Sequence, residues 1–418
     1  MNPHAARLAC ARLDPGQAAR QAAESGLSPL GLRRLLSEWD GDPVPEPGTF
    51  TVELALGARV TTMTVHIPQP AATRPGVLVV LHGAGNSGAA MLPYFLGLGE
   101  RLGMAVLCPD AQLLDDVRGN LEVSGVFAKH FRFPRWSFGA DDFPVAAMRW
   151  ALENLDADPD RCVLAGVSMG GLACWNLAMR LWPRFAAAVP VNGALSIWEA
   201  FGTDRRTRFL LPNAVALPLF VVHGALDQRI PPRFDRASVA QLREAGHPAL
   251  TYVEVPDGDH PLGSLHFEDG GPLVADLQAW LTGRRRQTDP VRIRHRALDD
   301  QHARAHWIGM GGVDPAGAEV IAERERDDLY TVRVLGAETV LLGLNGDRLE
   351  PGDPVTVVLN GEASTVRFEP SLETVAAGYR EHLDPALTAE AVVTLAVADP
   401  QPCPPDELVG NPRHAHTF

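Results

Sequence analysis

No run in this 418-residue chain reaches the ~18 consecutive apolar residues that a membrane-spanning helix needs, so no such span is expected. The N-terminus also lacks an apolar core followed by a small-residue cleavage site. No signal peptide is read there, and the expectation is a cytoplasmic protein. Cysteine is scarce. Cys10, Cys108, Cys162, Cys174 and Cys403 have no paired spacing and an odd count. That pattern favours buried free thiols in a reducing compartment over a disulfide framework. Lysine is all but missing: Lys129 stands alone, and arginine supplies the remaining cations, a compositional bias with no chemical reading. The formal net charge of −14 argues against a nucleic-acid partner. What is plentiful is apolar residue, at 46%, enough for a sizeable core in a chain longer than one ordinary domain.

The most telling stretch is Gly166-Val167-Ser168-Met169-Gly170, a G-x-S-x-G pattern. Before it, Arg161-Cys162-Val163-Leu164-Ala165 reads as a buried strand. After it, residues 171–180 have helical periodicity. Strand, glycine-flanked turn and helix form the context of a nucleophile elbow, which lifts a serine hydroxyl to a helix N-terminus where negative charge is favoured. A bare G-x-S-x-G is a common turn pattern, so three further segments have to carry weight.

The aliphatic run Val77-Leu78-Val79-Val80-Leu81 ends in His82-Gly83-Ala84-Gly85. Acyl transfer needs N–H donors for its oxyanion. One would be Met169, after the serine, and the other Ala84, with Gly85 the alternative; the bland reading is a plain glycine turn. A second run, Pro218-Leu219-Phe220-Val221-Val222, ends in His223-Gly224-Ala225-Leu226-Asp227. A carboxylate at that strand end can reach the functional edge of a parallel sheet, though a loop aspartate is the ordinary reading. A third strand runs into Pro256-Asp257-Gly258-Asp259-His260, where a loop histidine is by default only solvated. Together these give Ser168, Asp227 and His260 in the order of one known triad arrangement, each just after a predicted strand. Asp257 and Asp259 compete with Asp227 for the acid position.

These stretches, with Asp158-Pro159-Asp160-Arg161 before the elbow and Val189-Pro190-Val191-Asn192-Gly193 after it, resemble the α/β-hydrolase superfamily over residues 50–285. Within it the resemblance is to the polyhydroxybutyrate-depolymerase-like and dienelactone-hydrolase-like esterases. It implies a mostly parallel sheet flanked by helices, and a serine esterase acting on a small-molecule ester through an acyl-enzyme, with no metal or cofactor. A prolyl-oligopeptidase-like peptidase is the alternative, against which no propeller repeats are found. A binding protein with an inactive core is another, against which the complete set of site residues stands. One departure is the long aromatic segment 115–138, with Phe127, Phe131, Phe133, Trp136 and Phe138 among Lys129, His130, Arg132 and Arg135. It reads as a pocket wall in which Trp136 and Arg135 touch substrate, or else as packing.

Residues 1–45 read as helical, packed on the hydrolase core in preference to a helical cap or an oligomerisation arm, and end in a proline-rich linker. Residues 46–285 form the core, closed by a helix at 273–281. Residues 290–400 alternate with turn signals at Asn345-Gly346 and Asn360-Gly361, which predict hairpins in a small antiparallel β-sandwich with one helix at 371–382. It resembles a C-terminal β-domain seen behind some of these esterases. Residues 401–418 read as a tail, where His414 and His416 carry no role. His302 and His306 have metal-ligand spacing but read as a solvated linker. His82 and His223 read as loop-holding residues rather than proton carriers.

Overall fold

In the computed structural model the chain is described over residues 1–38, 46–112, 136–196 and 206–403. Its aliphatic runs become the middle of one eight-stranded sheet, in the order β1 (Gly48–Leu56), β2 (Arg59–Ile67), β4 (Met104–Pro109), β3 (Gly76–Leu81), β5 (Cys162–Val167), β6 (Ala187–Val191), β7 (Leu219–Gly224), β8 (Leu250–Val255). β1 and β2 form a hairpin and β2 meets β4 antiparallel; every other pairing is parallel. Strands β3 to β7 are buried at every residue, because helices cover both faces, and this is why they read as unbroken apolar runs.

Alternate side chains serve the two faces. Val77, Val79 and Leu81 point to a layer holding Phe143, Trp175 and Leu242, from helices Phe143–Asn154, Met169–Arg180 and Arg233–Glu244. Leu78 and Val80 point to a layer holding Phe95 and Leu277, from helices Gly88–Leu102 and Pro272–Leu281. This is the α/β-hydrolase fold. No helix among the described residues is long and apolar enough to cross a membrane.

Beyond residue 290 there are two further sheets. One joins β10 (Arg304–Ala305), β11 (Ile308–Gly311), β14 (Thr339–Leu344) and β17 (Ala391–Ala396). The other joins β16 (Glu362–Arg367), β15 (Pro354–Leu359), β13 (Leu329–Leu335), β12 (Ala318–Arg326) and β9 (Arg292–Ala297). Asn360-Gly361 makes the expected hairpin, with Leu359 opposite Glu362 and both turn residues at positive φ (49° and 93°). Asn345-Gly346 does not. Neither residue has a positive φ, and the chain there passes from one sheet to the other, while the Asn345 side chain accepts from Glu390 N at 3.1 Å. The region is also not wholly antiparallel, since β13 and β15 run parallel.

The three N-terminal helices, Pro3–Arg12, Pro15–Glu24 and Pro29–Ser37, each begin with a capping side chain (Asn2, Asp14, Ser28) followed by proline. Their buried face is not laid on the hydrolase core as expected. Ala6, Cys10, Ala18, Ala22, Leu32 and Leu36 close instead on Val375, Ala376, Tyr379 and Leu383, in and just after helix Leu372–His382, with Leu152 of the core at the margin.

Candidate active site

The parallel register sets Leu81 level with Gly166, so the loops after β3 and β5 leave the same edge of the sheet side by side. Ser168 stands there at φ 58°, ψ −116°, a left-handed conformation that costs a non-glycine residue ~1–3 kcal/mol. The neighbouring glycines are required by close approach. A Cβ at Gly166 would lie 2.0 Å from the Gly170 carbonyl oxygen, and one at Gly170 would lie 2.1 Å from that of Leu81. Ser168 N donates to Val191 O at 2.9 Å, which fixes the turn to β6.

Ser168 Oγ lies 2.8 Å from His260 Nε2, and His260 Nδ1 lies 2.7 Å from Asp227 Oδ2. The other Asp227 oxygen accepts from Arg229 N (2.8 Å) and Ile230 N (3.0 Å). Burial opposes the charge on Asp227, but His223 at 3.6 Å and hydrogen bonds from His260 and Ile230 more than offset it and hold the carboxyl well below the usual range. The competing acids are not in place. Asp257 is exposed and faces His266 at 3.1 Å, while Asp259 Oδ1 accepts from His260 N.

Asn192, after β6, keeps the histidine loop on the sheet. Its Nδ2 donates to His260 O (2.7 Å) and Asp259 O (3.2 Å), and its Oδ1 accepts from Gly224 N (2.8 Å). His223 is likewise fixed. Its Nε2 faces Ile230 O at 2.8 Å, an acceptor only, so that nitrogen carries a proton. Its Nδ1 meets Asp235 at 2.7 Å, and Asp235 also accepts from Trp175 Nε1 at 2.9 Å. Burial works against the charge, yet Asp227 and Asp235 push the His223 pKa up to about 9. The two carboxylates thus favour the protonated form of His223, while burial raises the Asp235 pKa; His223 Nε2 lies 3.6 Å from the Asp227 oxygen that holds His260. Sequence reasoning gave Asp235 no role, because an aspartate in the first turn of a helix already has an ordinary explanation there.

On the other side of Ser168 lies the loop after β3. A Cβ at Gly83 would sit 3.1 Å from Ser168 Cβ. His82 braces this loop: Ala111 N donates to its Nε2 (2.9 Å), so its Nδ1 carries the proton and donates to Gly83 O (2.8 Å). Trp136 donates to His82 O at 3.2 Å, packs on the His82 ring at 5.1 Å and is 3% exposed. Arg135, with the rest of 113–135, lies outside the described residues, as do His414 and His416. Ala84 is exposed, and Met169 begins the helix, where its N–H has no intrahelical acceptor.

His302 and His306 are not solvated; both are buried. His302 has both ring nitrogens engaged, with Asp299 at 2.6 Å and Ala140 N at 3.1 Å. All five cysteines are buried and unpaired, and burial alone pushes the Cys10 thiol up to about 11.

Neither a family model nor a curated protein sequence matches the chain. Among solved structures it is similar to the S-formylglutathione hydrolase FrmB of Staphylococcus aureus, at 15% identity over 57% of this chain and 99% of that one, with a TM-score of 0.41. A thermostable esterase is similar at 21% identity over 57% and 63%, TM-score 0.40. A 2,6-dihydroxy-pseudo-oxynicotine hydrolase is similar at 18% identity over 64% and 72%, TM-score 0.41. At these identities and scores the likenesses say nothing about the reaction.

Proposed function

We propose that the protein is a serine hydrolase that cleaves small carboxylic esters through an acyl-enzyme. The observation that carries the reading is the unbroken line from Ser168 Oγ through His260 to Asp227, at 2.8 and 2.7 Å, assembled from three loops at one edge of the sheet. Ser168 attacks the acyl carbonyl while His260 Nε2 takes its proton. The oxyanion is held by the N–H groups of Met169 and Ala84. His260 then protonates the departing alcohol, and water repeats the sequence on the acyl-serine. Asp227 holds the imidazole in the tautomer that leaves Nε2 free to accept. Trp136, and Arg135 beside it, belong to this reading as determinants of which ester is accepted. Ester rather than peptide cleavage is favoured because the sequence carries no propeller repeats of the kind that gate prolyl-oligopeptidase-like enzymes.

The test is a chromogenic ester series of rising acyl length, run beside aminoacyl anilides, with a fluorophosphonate probe on the same protein. Ester turnover and labelling of Ser168 are expected, both lost in a folded Ser168→Ala variant, with a rate loss of about 10⁴ or more. Turnover of anilides alone would replace the esterase reading by a peptidase. No labelling and no turnover would leave a binding protein on a hydrolase fold.

A further inference from the structure

A second site lies away from Ser168. Ser168 begins helix Met169–Arg180, and the residues just after that helix line a cavity of about 250 Å³, roughly 18 Å off at ~1.5 Å rise per residue. Its other walls come from helix Phe143–Asn154, from residues 301–306 and from the end of helix Leu372–His382. It sits where the hydrolase core meets the C-terminal sheets, and it does not depend on the reading of Ser168.

The wall holds two carboxylates, Asp141 and Glu381, and beside them polar groups that find no partner. Arg184 is always protonated, so its contact with His382 Nδ1 at 3.0 Å makes that nitrogen an acceptor and places the proton of the neutral ring on Nε2. This buried N–H has no hydrogen-bond partner; the nearest carboxylate, Glu381, is 3.6 Å away. Neither ring nitrogen of His306 is hydrogen-bonded, although the ring packs on Trp182 at 4.9 Å. The two histidines are 7% and 8% exposed. Among the described residues Arg184 pairs with no carboxylate. Arg304 meets Glu381 at 3.5 Å, and that carboxylate is 56% exposed. Arg149 is otherwise occupied, donating to the carbonyls of Arg380 and Glu381 at the end of their helix.

The field inside the cavity is positive. Burial and the guanidiniums of Arg184, Arg304, Arg149 and Arg286 hold His382 well below the ordinary imidazole range. Burial and Arg286 bring His306 down to about 3, although a backbone group of Thr288 acts the other way. Water could satisfy the imidazole N–H groups, but it would leave the Arg184 charge, on which Glu381 and Asp384 act only from a distance, without an anion in contact in a partly desolvated place, which is costly. An oxyanion does both. The structure assigns to this cavity a small oxyanion, a phosphate or carboxylate group, held by Arg184, His382, His306 and Arg304.

The test uses the full chain, titrated with inorganic phosphate in one arm and malonate in the other, against sodium chloride at matched ionic strength. A saturable rise in melting temperature and a matching calorimetric isotherm are expected with at least one of them, and the responsive arm identifies the headgroup. Arg184→Met keeps the aliphatic stem and should weaken that binding tenfold or more. Arg184→Lys should recover part of it. The His382 Nε2 resonance should shift on titration. Should Arg184→Met not fold, His382→Gln and the resonance shift decide. Melting that follows ionic strength alone, with an unmoved His382 signal, would overturn the assignment and leave water in the cavity.

Discussion

Replacing His223 with glutamine removes one positive charge from behind the reacting histidine and leaves a side chain that still hydrogen-bonds. His223 Nε2 and His260 Nδ1 approach the same Asp227 oxygen, at 3.6 and 2.7 Å, so the two nitrogens are no more than about 6 Å apart. With an effective dielectric of about 20–40, two positive charges at that distance repel by about 1–3 kcal/mol, which is roughly one to two pH units for a titrating group. In the intact protein this repulsion acts on any positive charge that the proposed reaction places on His260. In His223→Gln the acidic limb of kcat/KM for a short acyl ester should therefore move up by about one to two pH units. Activity at pH 6 should fall much further than activity at pH 8.5. A uniform loss across pH with the limb in place would refute the electrostatic argument and leave His223 as packing alone.

Three further outcomes follow from the same geometry. Asp227→Asn should lower kcat by about 10⁴, while Asp257→Asn and Asp259→Asn change it less than tenfold; a larger effect from either neighbour would move the acid to that residue. Stability should peak near pH 6–7. His223 at about 9, against an ordinary 6.5, contributes about 3 kcal/mol that is complete below pH 6.5 and lost as pH rises through 9, whereas His295 at about 4 and His306 at about 3 are held neutral, so stability also falls as pH drops below 6.5. Urea unfolding from pH 4 to 10 measures both limbs, and a flat curve between 6.5 and 9 would mean that His223 is neutral. Trp136→Phe keeps a ring against His82 but deletes the 3.2 Å bond to its carbonyl, so kcat/KM should change unequally across the ester series with a melting-temperature drop of a few degrees; equal losses on every ester would make Trp136 structural only.

The strands were legible because burial on both faces writes itself as continuous aliphatic sequence, and β3, β5, β6 and β7 are buried at every position. The positions of Ser168 and Asp227 were legible because each follows such a run, and that of His260 because it follows the alternating, half-buried β8; parallel strands deliver their C-terminal ends to one edge. Where the reading missed, the deciding physics was tertiary. Asn345-Gly346 has the composition of a hairpin, but the strands on either side found better partners in different sheets, and the dipeptide never took the positive φ that such a hairpin needs. The N-terminal helices showed their apolar stripe correctly. Nothing in a stripe of alanine and leucine says whether it will close on the hydrolase core or on a helix more than 300 residues later in the chain.

The same limit separates the two groups of histidines. His260 follows a strand, and that alone placed it at the working edge. His302, His306 and His382 follow no such rule, and their surroundings come from segments distant in sequence: Asp299 and Ala140 for one, Trp182 for the next, Arg184 for the third. A solvated linker was the natural reading of arginines and histidines between two domains, since isolated cations belong in water. Folding removes that water by closing the two regions on each other. The cost of enclosing Arg184 without a carboxylate is then either borne by the interface or repaid by an anion from solution. Those alternatives differ in one measurable respect. An interface that bears the cost should become more stable when Arg184 is replaced by methionine in any buffer, whereas a site that binds an oxyanion should become more stable only in the absence of the ion and lose its response when the ion is present.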